Sequence, residues 1–145
     1  MEPRALAFLV HDRSRQMELL GSLLRKLQVE TSNVGTCAEL DRLISHTWPH
    51  LIFTEMLLPD GSWVDVLNMV ERRDVPVNVI VIGSAEHADT KLYASILERG
   101  AFDLVLPPFE RRSLEVVVKL AGIDARRRRQ ALALAAASRA MPAWN

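Results

Sequence analysis

The chain has a single cysteine among its 145 residues, Cys37. One thiol excludes an internal disulfide framework and a cysteine-built zinc cage, and it fits a reducing cytoplasm. Long apolar runs are missing too. The longest are Ala5–Val10 and Val75–Ile82, the second broken by Pro76 and Asn78, and neither approaches the roughly 20 residues needed to span a bilayer. The chain does not open with a basic stretch, an apolar stretch and a small-residue cleavage site, so secretion is not expected. There is no phosphate-cradling glycine loop and no helix-turn-helix pattern. What the chain does have is 49% apolar and 25% charged residues, the mix of a globular domain with one buried core and not of a collagen-like or disordered chain. These features together lead us to expect a soluble cytoplasmic domain.

A net charge of zero conceals an asymmetry. Through Glu110 there are 10 Lys and Arg against 16 Asp and Glu; from Arg111 onward there are 8 against 2. A mildly acidic body therefore ends in a basic arm that contains Arg126-Arg127-Arg128-Arg129. Four adjacent arginines could meet nucleic acid or an acidic partner, or simply form a solvated helix surface or linker. Without interleaved aromatics the run does not favour nucleic acid.

Short β-rich runs alternate with helix-period segments from end to end. Ala5–Val10 reads as a buried strand, followed by a helix capped at Asp12 or Ser14 whose stripe is Met17, Leu20, Leu24 and Leu27. Val29–Val34 is a weaker strand, and residues 38–47 form a helix closed by Trp48-Pro49. The third strand is His50–Glu55, and residues 56–62 form a loop with Pro59-Asp60-Gly61 as its turn. Trp63–Arg73 is helical, Val77–Gly83 is the fourth strand, and Asp89–Arg99 is a helix ended by Gly100. Phe102–Leu106 is the fifth strand, stopped by Pro107-Pro108. A long last helix runs from Glu110 to about Ala137, with Gly122 as its weak point. This pattern predicts an α/β fold: a flavodoxin-like, doubly wound (βα)5 sandwich with a five-stranded parallel sheet in the order 2-1-3-4-5 and an extended C-terminal helix. We divide it into a domain at 1–121 and a basic, Ala/Arg-rich helical extension or linker at 122–145. In such sheets function gathers at the carboxyl ends of the strands, which selects His11 and Asp12, Glu55, Ser84 and Pro107.

Those positions carry a specific likeness. Over residues 5–121 the chain resembles the receiver domain of two-component response regulators. Residues 51–61, LIFTEMLLPDG, look like the family's phosphorylation strand and the loop after it. Gly100-Ala-Phe-Asp103 and Pro108-Phe109 look like its fifth-strand segment, and Ile82-Gly-Ser-Ala85 falls where the family has a Thr/Ser-Ala pair. The resemblance implies a signalling module, not an enzyme, that uses Mg²⁺ to accept a phosphoryl group on an aspartate. That chemistry needs an acidic pair, a hydroxyl and a lysine around the acceptor.

The departures from that set are chemical. The acceptor position is Glu55, the acidic pair is His11-Asp12, the hydroxyl is Ser84, the lysine position is Pro107, and the aromatic switch position is Leu104. Glutamate sets its carboxylate roughly 1.5 Å farther out, and a misplacement of about 1 Å can cost about a hundredfold. His11 removes hard oxygen ligation from a site meant for Mg²⁺, and Pro107 cannot neutralise a phosphoryl group. We therefore expect a degenerate receiver (a pseudo-receiver) that takes no cofactor. Any metal would fall to Asp12 and Glu55, with His11 as a third ligand if the ion were a transition metal. Glu55 either mimics a phosphoryl group or is merely solvated, or capped by Ser84 or a backbone N–H. Cys37 is expected to be an unreactive helix-start residue, and the Pro107-Pro108 bond to be cis as in the family.

With chemistry set aside, contact remains. The resemblance implies an interaction face built from the fourth helix, fifth strand and fifth helix, here Lys91, Tyr93, Arg99, Arg111, Arg112 and Glu115, suited to an isologous homodimer or an output domain. The extension is like the linker that leads from receivers to an output domain, so the chain is expected to be the front of a longer, transcription-related regulator. Two other functions compete: an active phosphoacceptor using Glu55 or Asp60, and a flavodoxin-like ligand- or nucleic-acid-binding protein using Arg126–Arg129. No membrane partner is expected.

Overall fold

A computed structural model describes residues 4–140, so the 1–121 and 122–145 divisions reach beyond it at residues 1–3 and 141–145. The elements run β1 (Leu6–Val10), α1 (Arg15–Lys26), β2 (Glu30–Val34), α2 (Cys37–Ile44), β3 (Leu51–Glu55), β4 (Leu57–Leu58), β5 (Gly61–Ser62), α3 (Trp63–Arg73), β6 (Asn78–Ile82), α4 (Thr90–Arg99), β7 (Asp103–Val105) and α5 (Arg111–Ala140). The main sheet has the order β2-β1-β3-β6-β7, with every pairing parallel. Numbered by the five long strands, this is the expected 2-1-3-4-5.

The sheet is buried on both faces, which explains why its central strands read as continuous apolar runs. One face packs Phe8, Val10, Ile52, Val79 and Val81 against α2, α3 and α4. The other packs Leu9, Phe53, Ile80 and Ile82 against α1 and α5. Registers of Val10 with Thr54 and of Glu55 with Ile82 bring the ends of β1, β3 and β6 level, so their loops share one rim.

Two local outcomes differ from the sequence reading. Residues 56–62, expected as a plain loop, hold the antiparallel β4–β5 hairpin; two-residue strands carry no readable period. Helix α2 ends at Ile44, short of residue 47, because Trp48-Pro49 removes the conformational freedom a further turn needs. As expected, α5 is one long helix, and it passes Gly122 unbroken, since the buried faces on either side of it hold the helix together. The Pro107-Pro108 bond is cis, as expected. Among the described residues no helix is long and apolar enough to cross a membrane.

Candidate functional site

The rim at the carboxyl ends of the strands begins with His11. The chain turns sharply after it, with Arg13 in the left-handed region at φ 52°, and Ser14 then caps α1 by accepting from the Met17 N–H at 3.3 Å. That turn folds the Ser14 N–H onto His11 Nδ1 at 3.0 Å, while His11 Nε2 meets Asn33 Oδ1 of β2 at 2.9 Å. A backbone N–H can only donate, so Nδ1 carries no proton and the ring's hydrogen sits on Nε2, aimed at Asn33. The ring is 6% exposed and both its nitrogens are already engaged within the chain.

Glu55 ends β3 beside this ring. Burial pushes its carboxyl above the ordinary range, His11 and a hydrogen bond from the Ser14 hydroxyl pull it down, and Asp12 pushes it up again. Burial is the largest of these effects, and the net direction is upward. The capping hydroxyl is therefore Ser14, where the sequence pointed to Ser84.

Ser84 faces elsewhere. Its N–H donates to His87 Nδ1 at 2.8 Å, and its hydroxyl lies 3.1 Å from both Glu86 Oε1 and His87 Nδ1. The Ser-x-x-His spacing of a single tight turn was the available signal for His87, which the sequence reading passed over. Gly83 is needed just before it: a Cβ there would lie 2.8 Å from Leu106 Cδ2 and 3.1 Å from His87 Nδ1. Pro107 follows β7 and brings no charge to the rim. Leu104 is 8% exposed and packed into the core beside Ile96 and Ala101, so the switch position is sealed inward.

The rim thus gathers His11, Asp12, Ser14 and Glu55, and leaves Ser84 in its own turn. This set does not fit the Mg²⁺ that the resemblance implies. Magnesium needs a near-octahedral oxygen shell, and of the rim residues only exposed Asp12 and half-buried Glu55 offer carboxyl oxygens, the Ser14 hydroxyl being already engaged as the α1 cap. Among the described residues no group of three or more His, Cys, Asp or Glu side chains is placed to hold a metal.

Asp60, the alternative acceptor, sits at the β4–β5 turn and caps α2. Its two oxygens accept from the Cys37 N–H at 2.7 Å and the Ala38 N–H at 3.0 Å, and these bonds hold its carboxyl below the ordinary range. The cap works because Gly61 lets the hairpin approach: a Cβ there would fall 2.6 Å from Asp65 Oδ2 and 2.9 Å from Cys37 Sγ. A helix start normally acidifies a thiol. Here burial and the Asp60 charge push Cys37 up to about 11.

On the proposed interaction face, Lys91, Tyr93, Arg111, Arg112 and Glu115 are exposed on α4 and the first turns of α5. The Tyr93 hydroxyl donates to Asp103 Oδ1 at 3.0 Å, tying α4 to β7, and that bond raises its pKa. A groove of about 310 Å³ separates β7 from α5, lined by Leu104, Pro108, Phe109 and Val117 among others. Arg99 does not belong to this face. Its guanidinium turns to α3, bonded to Asn68 and 3.7 Å from Glu71, because the last turn of α4 points its side chain away from α5. The arginine run is likewise not a uniform solvated stripe: Arg128 and Arg129 reach back into the fold, bonding Asn78, Asp124 and three main-chain carbonyls.

A five-stranded parallel sandwich in the order 2-1-3-4-5, with His11, Asp12 and Glu55 gathered at the carboxyl ends of its strands, has the architecture of a receiver-type signalling module. The sequence profile of the response regulator receiver domain matches residues 7–119, and the chain belongs to that family. It is 30% identical over 118 residues to the response regulator protein PilR of Pseudomonas aeruginosa, covering 81% of this chain and 26% of that protein. It is 28% identical over 118 residues to the DNA-binding transcriptional regulator NtrC of Azospirillum brasilense, covering 81% of this chain and 24% of that protein. A signal receiver domain from Vibrio parahaemolyticus superposes with a TM-score of 0.78 at 25% identity, over 89% of this chain and 98% of that one. The chain therefore spans about a quarter of the length of the curated relatives it matches.

Proposed function

We propose that this receiver is a phosphorylation-independent variant that regulates an output domain or partner by protein–protein contact, in the control of transcription, and has no enzymatic activity of its own. The observation that carries the reading is the engagement of both His11 nitrogens. A ring hydrogen-bonded to Ser14 and Asn33 cannot also ligate a metal, which leaves the rim two carboxyl groups, Asp12 and Glu55, as oxygen donors. No lysine faces them, since that position is Pro107. Acyl phosphate formation would then lack both its cation and its countercharge. Glu55 is held by Ser14 as a structural carboxyl, which speaks against a phosphoryl mimic bound to Ser84. Contact is left to the face of α4, β7 and the start of α5, and to α5 itself.

The test is incubation of the protein with acetyl phosphate and Mg²⁺ followed by intact mass measurement. The expected result is no phosphoryl adduct. An adduct abolished by Glu55→Ala would establish Glu55 as a working acceptor and overturn the reading. An adduct abolished by Asp60→Ala but not by Glu55→Ala would overturn it in favour of the hairpin carboxylate.

A further inference from the structure

Asn78 opens β6, a strand otherwise made of Val and Ile, and it is only 8% exposed. A buried amide is costly unless each of its polar groups is paired. All are. Its Nδ2 donates to the Ala121 carbonyl at 2.8 Å and to Asp124 Oδ2 at 2.9 Å, and its Oδ1 accepts from Arg128 at 2.6 Å. Arg128 also donates to Asp124 Oδ2 at 3.0 Å, closing the ring of contacts. All of these partners lie on α5, more than 40 residues away in sequence, at the end of the sheet opposite the rim.

The next residue takes the other side. Arg129 donates to the carbonyls of Pro76 at 3.2 Å and Trp48 at 3.3 Å, and to that of Pro49. These oxygens precede β6 and β3, where the backbone has not yet entered the ladder and has no strand partner. A planar guanidinium with five donors suits several carbonyls at once, as a lysine would not. Consecutive helix positions diverge by about 100° around the axis. Arg128 and Arg129 therefore straddle the line along which α5 crosses the base of the sheet, with fully buried Ala125 one turn before them. Rotating the helix either way breaks one set of contacts.

We propose that the folded unit of this chain continues through α5 to at least Arg129, and that Asn78, Asp124, Arg128 and Arg129 form a clamp that fixes the rotational phase in which the helix leaves the domain. The stretch after residue 121 is thus a rigid lever referenced to the sheet and not a loose linker. Because α5 is one helix to Ala140, a phase set at Arg129 is carried to its far end. This inference rests on the packing at the base of the sheet and is independent of whether the rim accepts phosphate.

Hydrogen exchange read by mass spectrometry on the full chain and on Arg129→Ala tests the clamp. Arg129 is half-buried but belongs to neither apolar core cluster, so its loss leaves the core intact. In the wild type, residues 124–134 are expected to be protected to a degree comparable with 111–121. In Arg129→Ala their exchange should accelerate about tenfold or more while 111–121 stays unchanged, the signature of a local opening, and Arg129→Lys should recover only part of the protection. Asn78→Val, which suits a strand and removes the amide, should act in the same direction. A spin-label pair placed by Leu19→Cys and Leu134→Cys, on exposed sites of α1 and α5, should give a narrow distance distribution that broadens in Arg129→Ala. Three outcomes would overturn the clamp: residues 124–134 unprotected in the wild type, unchanged exchange and label distances in Arg129→Ala, or loss of protection spread equally over 111–121.

Discussion

His50 sits one residue before β3 and accepts the Leu6 N–H on Nδ1 at 3.0 Å, so its ring stitches the start of β1 to the start of β3 in the form that has no proton there. Burial depresses its pKa to about 4, with the charges of Arg129 and Arg126 acting in the same direction. In the unfolded chain the ring titrates near its ordinary value of 6.5. Between these two values the unfolded state binds a proton that the folded state refuses, so stability must fall as the pH drops through that window. The full effect is at most about 3 kcal/mol from the size of the shift. Urea unfolding of the wild type and of His50→Asn between pH 4 and 7 checks it. The asparagine keeps an acceptor for Leu6 but does not titrate, so its curve should lack most of the slope; parallel curves would place the acid sensitivity elsewhere.

At the scale of elements, the hairpin β4–β5 and helix α2 stabilise each other through one carboxylate. Thr36 already caps α2 by accepting from the Glu39 N–H, and Asp60 satisfies the two N–H groups that this cap leaves. Asp60→Ala is expected to lower the thermal midpoint and, by removing a negative charge beside the sulfur, to bring the Cys37 pKa down from about 11 toward its ordinary value. Thiol alkylation at pH 9, timed for both proteins, should be faster in the variant. Equal rates would mean that burial alone controls the thiol. The sequence announced Pro59-Asp60-Gly61 as turn chemistry but could not disclose that Asp60 caps a helix 22 residues earlier. Long strands and helices were legible because period and capping are local properties: Ser14, Asp89 and Gly100 stand where the sequence put them. Asn78, Arg99, Arg128 and Arg129 were misjudged or passed over because each has partners between 28 and 81 residues away. Charge patterning along one segment cannot reveal them.

For the molecule as a whole, scaffold and chemistry are separable. The core contacts that hold this sheet lie beneath the rim, among Leu9, Phe53, Ile80 and Ile82 on one face and Ile52, Val79 and Val81 on the other, and none of them involves the side chains on which the family's reaction depends. If the loss of activity proposed for this receiver resides only in the rim, restoring the rim should restore the reaction on an unchanged fold. His11→Asp returns an oxygen ligand that can still accept the Ser14 N–H, Glu55→Asp withdraws the carboxylate by one methylene, and Pro107→Lys supplies a cation while leaving an X-Pro bond at Pro108. The triple variant is expected to gain a phosphoryl adduct with acetyl phosphate that disappears on chelating Mg²⁺, whereas Glu55→Asp alone should not, because an acceptor at the right distance still lacks metal and countercharge. Intact mass and near-ultraviolet circular dichroism together decide the matter. A natively folded triple variant that remains unmodified would mean that the barrier lies deeper than the rim, in the inward-sealed Leu104 or in the Ser84 hydroxyl turned toward Glu86 and His87. An adduct on Glu55→Asp alone would reduce the whole loss to one methylene.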